Sequence, residues 1–158
     1  MIENIPVFKP LIQDDEIEAA TKSLRQGWLG MGKSVGGFEE ALKQVIGVKE
    51  KHVVALSTGH AALHLGLMLA GVGAGDEVIT PSFNNIADLQ AILAVGAKPV
   101  FCDIDVDTLC IDLTQAETLI GPKSKAIIVM DYGCMLSDHD RGKKLADKYS
   151  LRVIHDAA

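Results

Sequence analysis

Apolar positions along this chain fall into two alternating patterns. Short, nearly continuous apolar runs occur at His52–Leu56, Glu77–Thr80, Pro99–Cys102, Lys125–Met130 and Leu151–His155. Runs of that length, without polar alternation, predict parallel strands covered on both faces. Between them, Ala61–Ala70, Asn84–Val95, Leu113–Leu119 and His139–Tyr149 carry apolar residues at spacings of three and four, which predicts helices. Two more helices open the chain, one from about Asp14 to Gln26 and ending at Gly27, the other from roughly Gly37 to Ile46 and ending at Gly47. Asp112 and Asp138 stand where helix N-caps are expected, and Gly71 and Gly96 where helices should stop. Strand and helix in strict alternation predict a doubly wound α/β domain.

In such a sheet, ligands bind beyond the carboxyl ends of the strands. The residues to weigh are therefore Ser57–His60, Pro81–Asn85, Asp103–Asp105, Asp131–Gly133 and Asp156. Ser57-Thr58-Gly59-His60 offers hydroxyls, a glycine and free amide donors at a helix start. It reads either as a simple N-cap with Gly59 easing the turn, or as a seat for phosphate. It is neither a GxxxxGK[ST] loop nor a GxGxxG fingerprint, so a phosphate-bearing ligand other than a nucleoside triphosphate is the better match. Asp156 ends a buried strand, where a carboxylate is costly unless a cation meets it; capping the next helix is the alternative. A protonated pyridine nitrogen would be such a cation.

Thr80-Pro81-Ser82 is a strand exit; an aromatic at Phe83 could cover a flat cofactor, but the core is its expected place. His155 alternates to the other side of its strand from Asp156 and is expected as a packing or surface residue. Neighbouring residues on a helix diverge by about 100°, so Asp138-His139-Asp140 is read as a helix start rather than a metal site. Asp103, Asp105 and Asp107 lack EF-hand spacing and are read as a solvated loop.

Composition narrows the partners. The chain has 158 residues, 48% hydrophobic but only 4% aromatic, which suits small-residue helix packing on a sheet better than a β-sandwich. Its formal net charge of −6 speaks against nucleic acid or an anionic membrane as partner. The N-terminus shows no basic segment followed by an apolar one, and no apolar run reaches a membrane span. Three cysteines without a CxxC are expected as free thiols, and a cytoplasmic setting follows from that.

The segments IPVFKP, Gly27-Trp28-Leu29-Gly30, STGHAALHLGLMLAGVGAGDEVITPSF, GAKPVFCDID, LCIDL, KAIIVMDYG and VIHDAA occur in that order. Taken together they resemble the pyridoxal-phosphate (PLP) dependent nucleotide-sugar aminotransferases, the DegT/DnrJ/EryC1/StrS group of aminotransferase fold type I. The resemblance implies an αβα sandwich with a mostly parallel sheet, incomplete at the C-terminus. It implies an N-terminal helical segment over residues 1–50, a partial PLP-binding large domain over 51–158, and no C-terminal small domain. Thr58, Gly59 and His60 would hold the cofactor phosphate, Asp156 would pair with the pyridine nitrogen, Asn85 would lie at the ring, and Trp28 near the substrate. Amino transfer from an amino acid, expected to be glutamate, to a nucleotide-linked keto-sugar in amino-sugar, lipopolysaccharide or antibiotic-sugar synthesis is the implied reaction, in a homodimer.

Departures from the family pattern are His60 for a threonine, Asn85 without an aromatic face, and Met130 where a histidine is common. No lysine here sits in the context of the family's Schiff-base lysine. Two strands expected between His52–Leu56 and the strand ending at Asp156 are also missing, so the reading is of a fragment of a longer enzyme. Alternatives are a sugar dehydratase of the same family, with histidine for that lysine, and a non-catalytic binding or assembly partner.

Overall fold

The computed structural model describes Pro6, residues 9–47 and residues 52–158. Ile5, Val7 and Phe8 of the IPVFKP segment lie outside the described residues, as do residues 48–51 at the expected junction of the two regions. The chain divides into two units, residues 1–55 and 56–158.

The first unit holds helices α1 (Asp14–Gln26) and α2 (Lys33–Ile46). A capping box closes the start of α1, Gln13 taking the N3 backbone donor while Glu16 accepts the Gln13 N–H at 2.7 Å. Both helices stop on a left-handed glycine, Gly27 and Gly47, as the sequence predicts. Helix α2 begins one turn earlier than predicted because Gly36 and Gly37 are carried inside it, at a cost of about 1 kcal/mol each relative to alanine.

The second unit runs α3 (Gly59–Leu69), β1 (Glu77–Pro81), α4 (Ile86–Ala94), β2 (Lys98–Cys102), α5 (Leu113–Leu119), β3 (Ser124–Met130), α6 (His139–Tyr149) and β4 (Arg152–Asp156). The four strands are all parallel, in the order β2-β1-β3-β4. Alternation along the strands splits the core in two. Val78, Ala126 and Ile128 meet Leu63 and Leu67 of α3 and Ala91 and Ile92 of α4 on one face. Ile79, Ile127 and Val129 meet Leu113 and Ala116 of α5 and Leu145 of α6 on the other. This is the expected αβα sandwich, and the near-continuous apolar strands follow from having both faces covered. Asp112 and Asp138 cap α5 and α6 as predicted.

One strand reading is corrected. His52–Leu56 joins no ladder among the described residues. An extended apolar run becomes a strand only with a neighbour, and here the Ala55 N–H is taken by the Glu39 carboxylate at 2.8 Å instead of a strand carbonyl.

Neighbouring residues of β1 should respond oppositely to substitution. Thr80 is wholly buried and its hydroxyl has no partner among the described residues. Thr80→Val should therefore stabilise the protein by about 1–3 kcal/mol in urea unfolding. Ile79→Ala, one residue earlier and equally buried, should destabilise it by about 2–5 kcal/mol.

Candidate functional site

The chain goes outward from β1 to β2 and returns to β3 on the other side of β1, so the strand order reverses at the β1–β3 pair. Chains leaving those two strands part in opposite directions and leave a crevice at their carboxyl ends. A cavity of about 590 Å³ opens there, lined by Gly59, His60 and Leu63 of α3, by 83–85 and Ala87 around the start of α4, by Met130 and Tyr132 at the β3 exit, and by Asp156 and Ala158 at the β4 exit.

The α3 end of this cavity is set up for an anion. Thr58 is the N-cap: its Oγ1 accepts the Ala61 N–H at 3.1 Å and its carbonyl the Ala62 N–H at 3.2 Å. That leaves the N–H groups of Gly59 and His60, the first two donors of the helix, without an acceptor among the described residues. A Cβ built on Gly59 meets nothing within 4 Å, so the backbone there stands open to a ligand.

The opposite end is acidic. Asp156 is half-buried, and its Oδ1 accepts the Ala158 N–H at 3.1 Å. Asp88, in the first turn of α4, is fully buried. The Asn84 side-chain amide donates to one of its oxygens, and the other has no partner among the described residues. Burial pushes the Asp88 carboxyl up to about 6, helped by the Asp156 carboxylate and opposed by the Asn84 hydrogen bond.

Between these ends lies an aromatic wall. Phe83 is 46% exposed rather than in the core, and its ring centroid lies 4.8 Å from that of Tyr132. The sequence reading of Phe83 is thereby corrected: the chain turns out of β1 into the crevice, so a residue two past the strand faces the cavity. Asn85 also lines it, while its Oδ1 caps α4 by accepting the Ala87 N–H at 3.0 Å.

Of the residues singled out from sequence, Gly59, His60, Asn85 and Asp156 share one cavity, and Thr58 shapes its anion end through the cap. Trp28 lies in the first unit, its Nε1 donating to the Met31 carbonyl at 2.8 Å. Asp88 was missed, and Tyr132 was within the Asp131–Gly133 exit but had no role assigned to it. Asp88 had a legible signal: it stands with Ala91 and Ile92 on the buried stripe of α4, where an acid is out of place.

A second polar cluster lies at the same edge of the sheet. Asp131 Oδ2 meets His155 Nε2 at 2.8 Å and its Oδ1 meets His139 Nε2 at 3.0 Å. Burial alone would raise the Asp131 carboxyl. The Ser137 N–H, the His155 hydrogen bond and the charges of both histidines outweigh it and hold the group below its ordinary value. Elsewhere Cys102 is buried, and that burial, with Asp112 and Asp103 nearby, pushes its thiol up to about 12, so it is not a nucleophile.

The family model of the DegT/DnrJ/EryC1/StrS aminotransferases matches residues 10–158. A UDP-4-amino-4-deoxy-L-arabinose–oxoglutarate aminotransferase of Shewanella sediminis is 38% identical over 156 residues, covering 99% of this chain and 40% of the relative. The aminotransferase TlmJ of Streptoalloteichus hindustanus superposes with a TM-score of 0.92 at 35% identity, over 98% of this chain and 42% of that one. NtdA of Bacillus subtilis, solved with the cofactor PMP bound, gives a TM-score of 0.86 at 34% identity, over 92% of this chain and 34% of its own. The chain thus spans about two-fifths of the length of the first of these relatives.

Asp88 makes stability depend on pH with a defined sign. Its folded value of about 6 lies above its ordinary 3.8, so the folded state binds the proton more tightly. Its contribution is therefore most favourable below about pH 4, is lost as pH rises to about 6, and is flat above. Asp88→Asn keeps an acceptor for Asn84 and removes that loss. Urea unfolding should show variant and wild type converging near pH 4 and the variant more stable at pH 7.5, by up to about 3 kcal/mol.

Proposed function

The chain belongs to the DegT/DnrJ/EryC1/StrS aminotransferase family, and from that premise we propose that its cavity holds the phosphate and pyridine nitrogen of PLP in a sugar aminotransferase. One observation carries this reading: a single cavity is lined both by free helix-start donors and by the Asp156 carboxylate, whose charge is felt by the buried Asp88. An anion and a cation on one flat molecule answer both ends, and Phe83 and Tyr132 supply flat apolar surface between them. The donor set fits the cofactor even without an aromatic side chain at position 85.

When bound, PLP supplies an electron sink for breaking and making bonds at the amine-bearing carbon. This chain's own residues bind and orient. The Gly59 and His60 amides would donate hydrogen bonds to the phosphate with the favourable end of the α3 dipole behind them, worth about 0.3–1 kcal/mol. Asp156 would hold a proton on the ring nitrogen through the carboxylate oxygen that Ala158 leaves free. Asp88, whose carboxyl burial raises to about 6, would add negative potential beside Asp156 as it ionises toward neutral pH. By likeness to the Shewanella sediminis relative, the amino acceptor is a nucleotide-linked keto-sugar and the donor glutamate; Trp28 is proposed near the sugar, and the enzyme as a homodimer.

Pyridoxamine 5′-phosphate tests the two-ended cavity without calling on a lysine. It should bind the protein saturably in a fluorescence titration. Asp156→Ala should weaken binding by about ten- to a hundredfold, as loss of one charge-assisted hydrogen bond of about 1.5–3 kcal/mol implies. His60→Ala should leave it within a few-fold, whereas His60→Pro, which deletes an amide donor that the first helical turn leaves without an intrahelical acceptor, should weaken it about tenfold. Absence of binding, or equal binding by all three variants, would refute the assignment. Amine transfer from glutamate to a UDP-linked 4-keto-sugar by the protein is the activity to assay.

A further inference from the structure

We propose that Asp131, His139 and His155 form a binding site for a divalent transition-metal ion, with Zn²⁺ the first to test. The three side chains come from three neighbouring elements: Asp131 follows β3 directly, His139 is the first residue of α6, and His155 lies in β4. Both imidazoles aim Nε2 at the same carboxylate, one at each oxygen, at 3.0 and 2.8 Å. The rings meet edge to face with centroids 4.3 Å apart. One ligand atom from each of the three lies within 4.8 Å of the others.

The geometry suits a small ion. Metal–ligand bonds of about 2.0–2.2 Å place ligand atoms roughly 3.3 Å apart, so closing the site needs only a small rotation of two half-exposed rings. Metal entry would turn each Nε2 lone pair inward, the ring proton residing on Nδ1, and the ion would replace the two N–H···O contacts with Asp131. Two imidazoles and a carboxylate select zinc, nickel, copper or iron over magnesium and calcium, which prefer all-oxygen shells. The carboxylate is already oriented: the Ser137 N–H donates to Asp131 Oδ1 at 2.9 Å, and the Asp131 N–H is tied to the Asp156 carbonyl at 3.0 Å. Partners of this kind are what hold a metal ligand in place. The histidine side chains are 41% and 43% exposed, leaving the outward side of the ion to water. None of the three residues lines the cavity assigned to the cofactor, so the site stands whether or not that assignment does.

The test uses untagged protein in a Cys134→Ser background, because that exposed thiol is an alternative soft ligand. After EDTA treatment and dialysis, calorimetric titration with ZnCl₂ should show one saturable equivalent. His139→Gln and His155→Gln should each weaken it by at least about tenfold, since even loss of a supporting partner costs that much. Circular dichroism establishes that the variants fold. The Cu²⁺-loaded parent protein, which depends on no histidine variant, should show electron paramagnetic resonance couplings to two nitrogens. Absence of saturable binding, unchanged binding by both folded variants, or a copper spectrum without two nitrogen couplings would each overturn the proposal.

Discussion

Covering both faces of a parallel sheet with helices leaves only the strand ends open to a ligand, and the rest of this structure depends on that constraint. Helices α3 and α4 close one face over Val78, Ala126 and Ile128, and α5 and α6 close the other over Ile79, Ile127 and Val129. Functional groups are thereby driven to the loops that leave the carboxyl ends. There, the reversal of strand order between β1 and β3 supplies the one place where adjacent connections diverge.

Within the crevice, electrostatics narrows what can bind. Two carboxyl groups close together, one of them fully buried, are costly to charge together without a counter-charge. The Asp88 carboxyl rises to about 6 under that conflict, so its proton comes off only as the pH approaches neutrality and at a cost in stability. A ligand with a cationic edge relieves the same conflict further, and its anionic arm meets the donors of Gly59 and His60. Charge at both ends fixes the direction in which a flat ligand lies, something apolar walls alone do not do.

Periodicity made the architecture legible. The strands β1 to β4 and the helices α3 to α6 emerge from apolar spacing, with caps at Asp112 and Asp138 where an acid precedes an apolar stripe. What failed was whatever depends on partners distant in sequence. His52–Leu56 has strand composition but no ladder, and composition cannot say whether a neighbour exists. Phe83 looked like core because it is large and apolar, yet chain direction after Pro81 decides its side. Glycines at 36 and 37 hid a turn of α2 because propensity alone argues against them. For the site, the residues at strand exits were visible, whereas Asp88 required asking why an acid sits on an apolar stripe.

Strand alternation also explains why two polar clusters lie back to back. In β4, successive side chains point to opposite faces, so Asp156 lines the cavity while His155 turns away to Asp131. At the β3 exit the same alternation sends Met130 and Tyr132 to the cavity and Asp131 between them to the other side. The backbone bond from Asp131 N–H to the Asp156 carbonyl, 3.0 Å long, joins the two exits where the clusters part. A change that pulls Asp131 toward its histidines therefore acts on the peptide group of Asp156, which lines the cavity. Two chemistries here are consequences of one pleat: neither can be moved by a residue along its strand without exchanging places with the other.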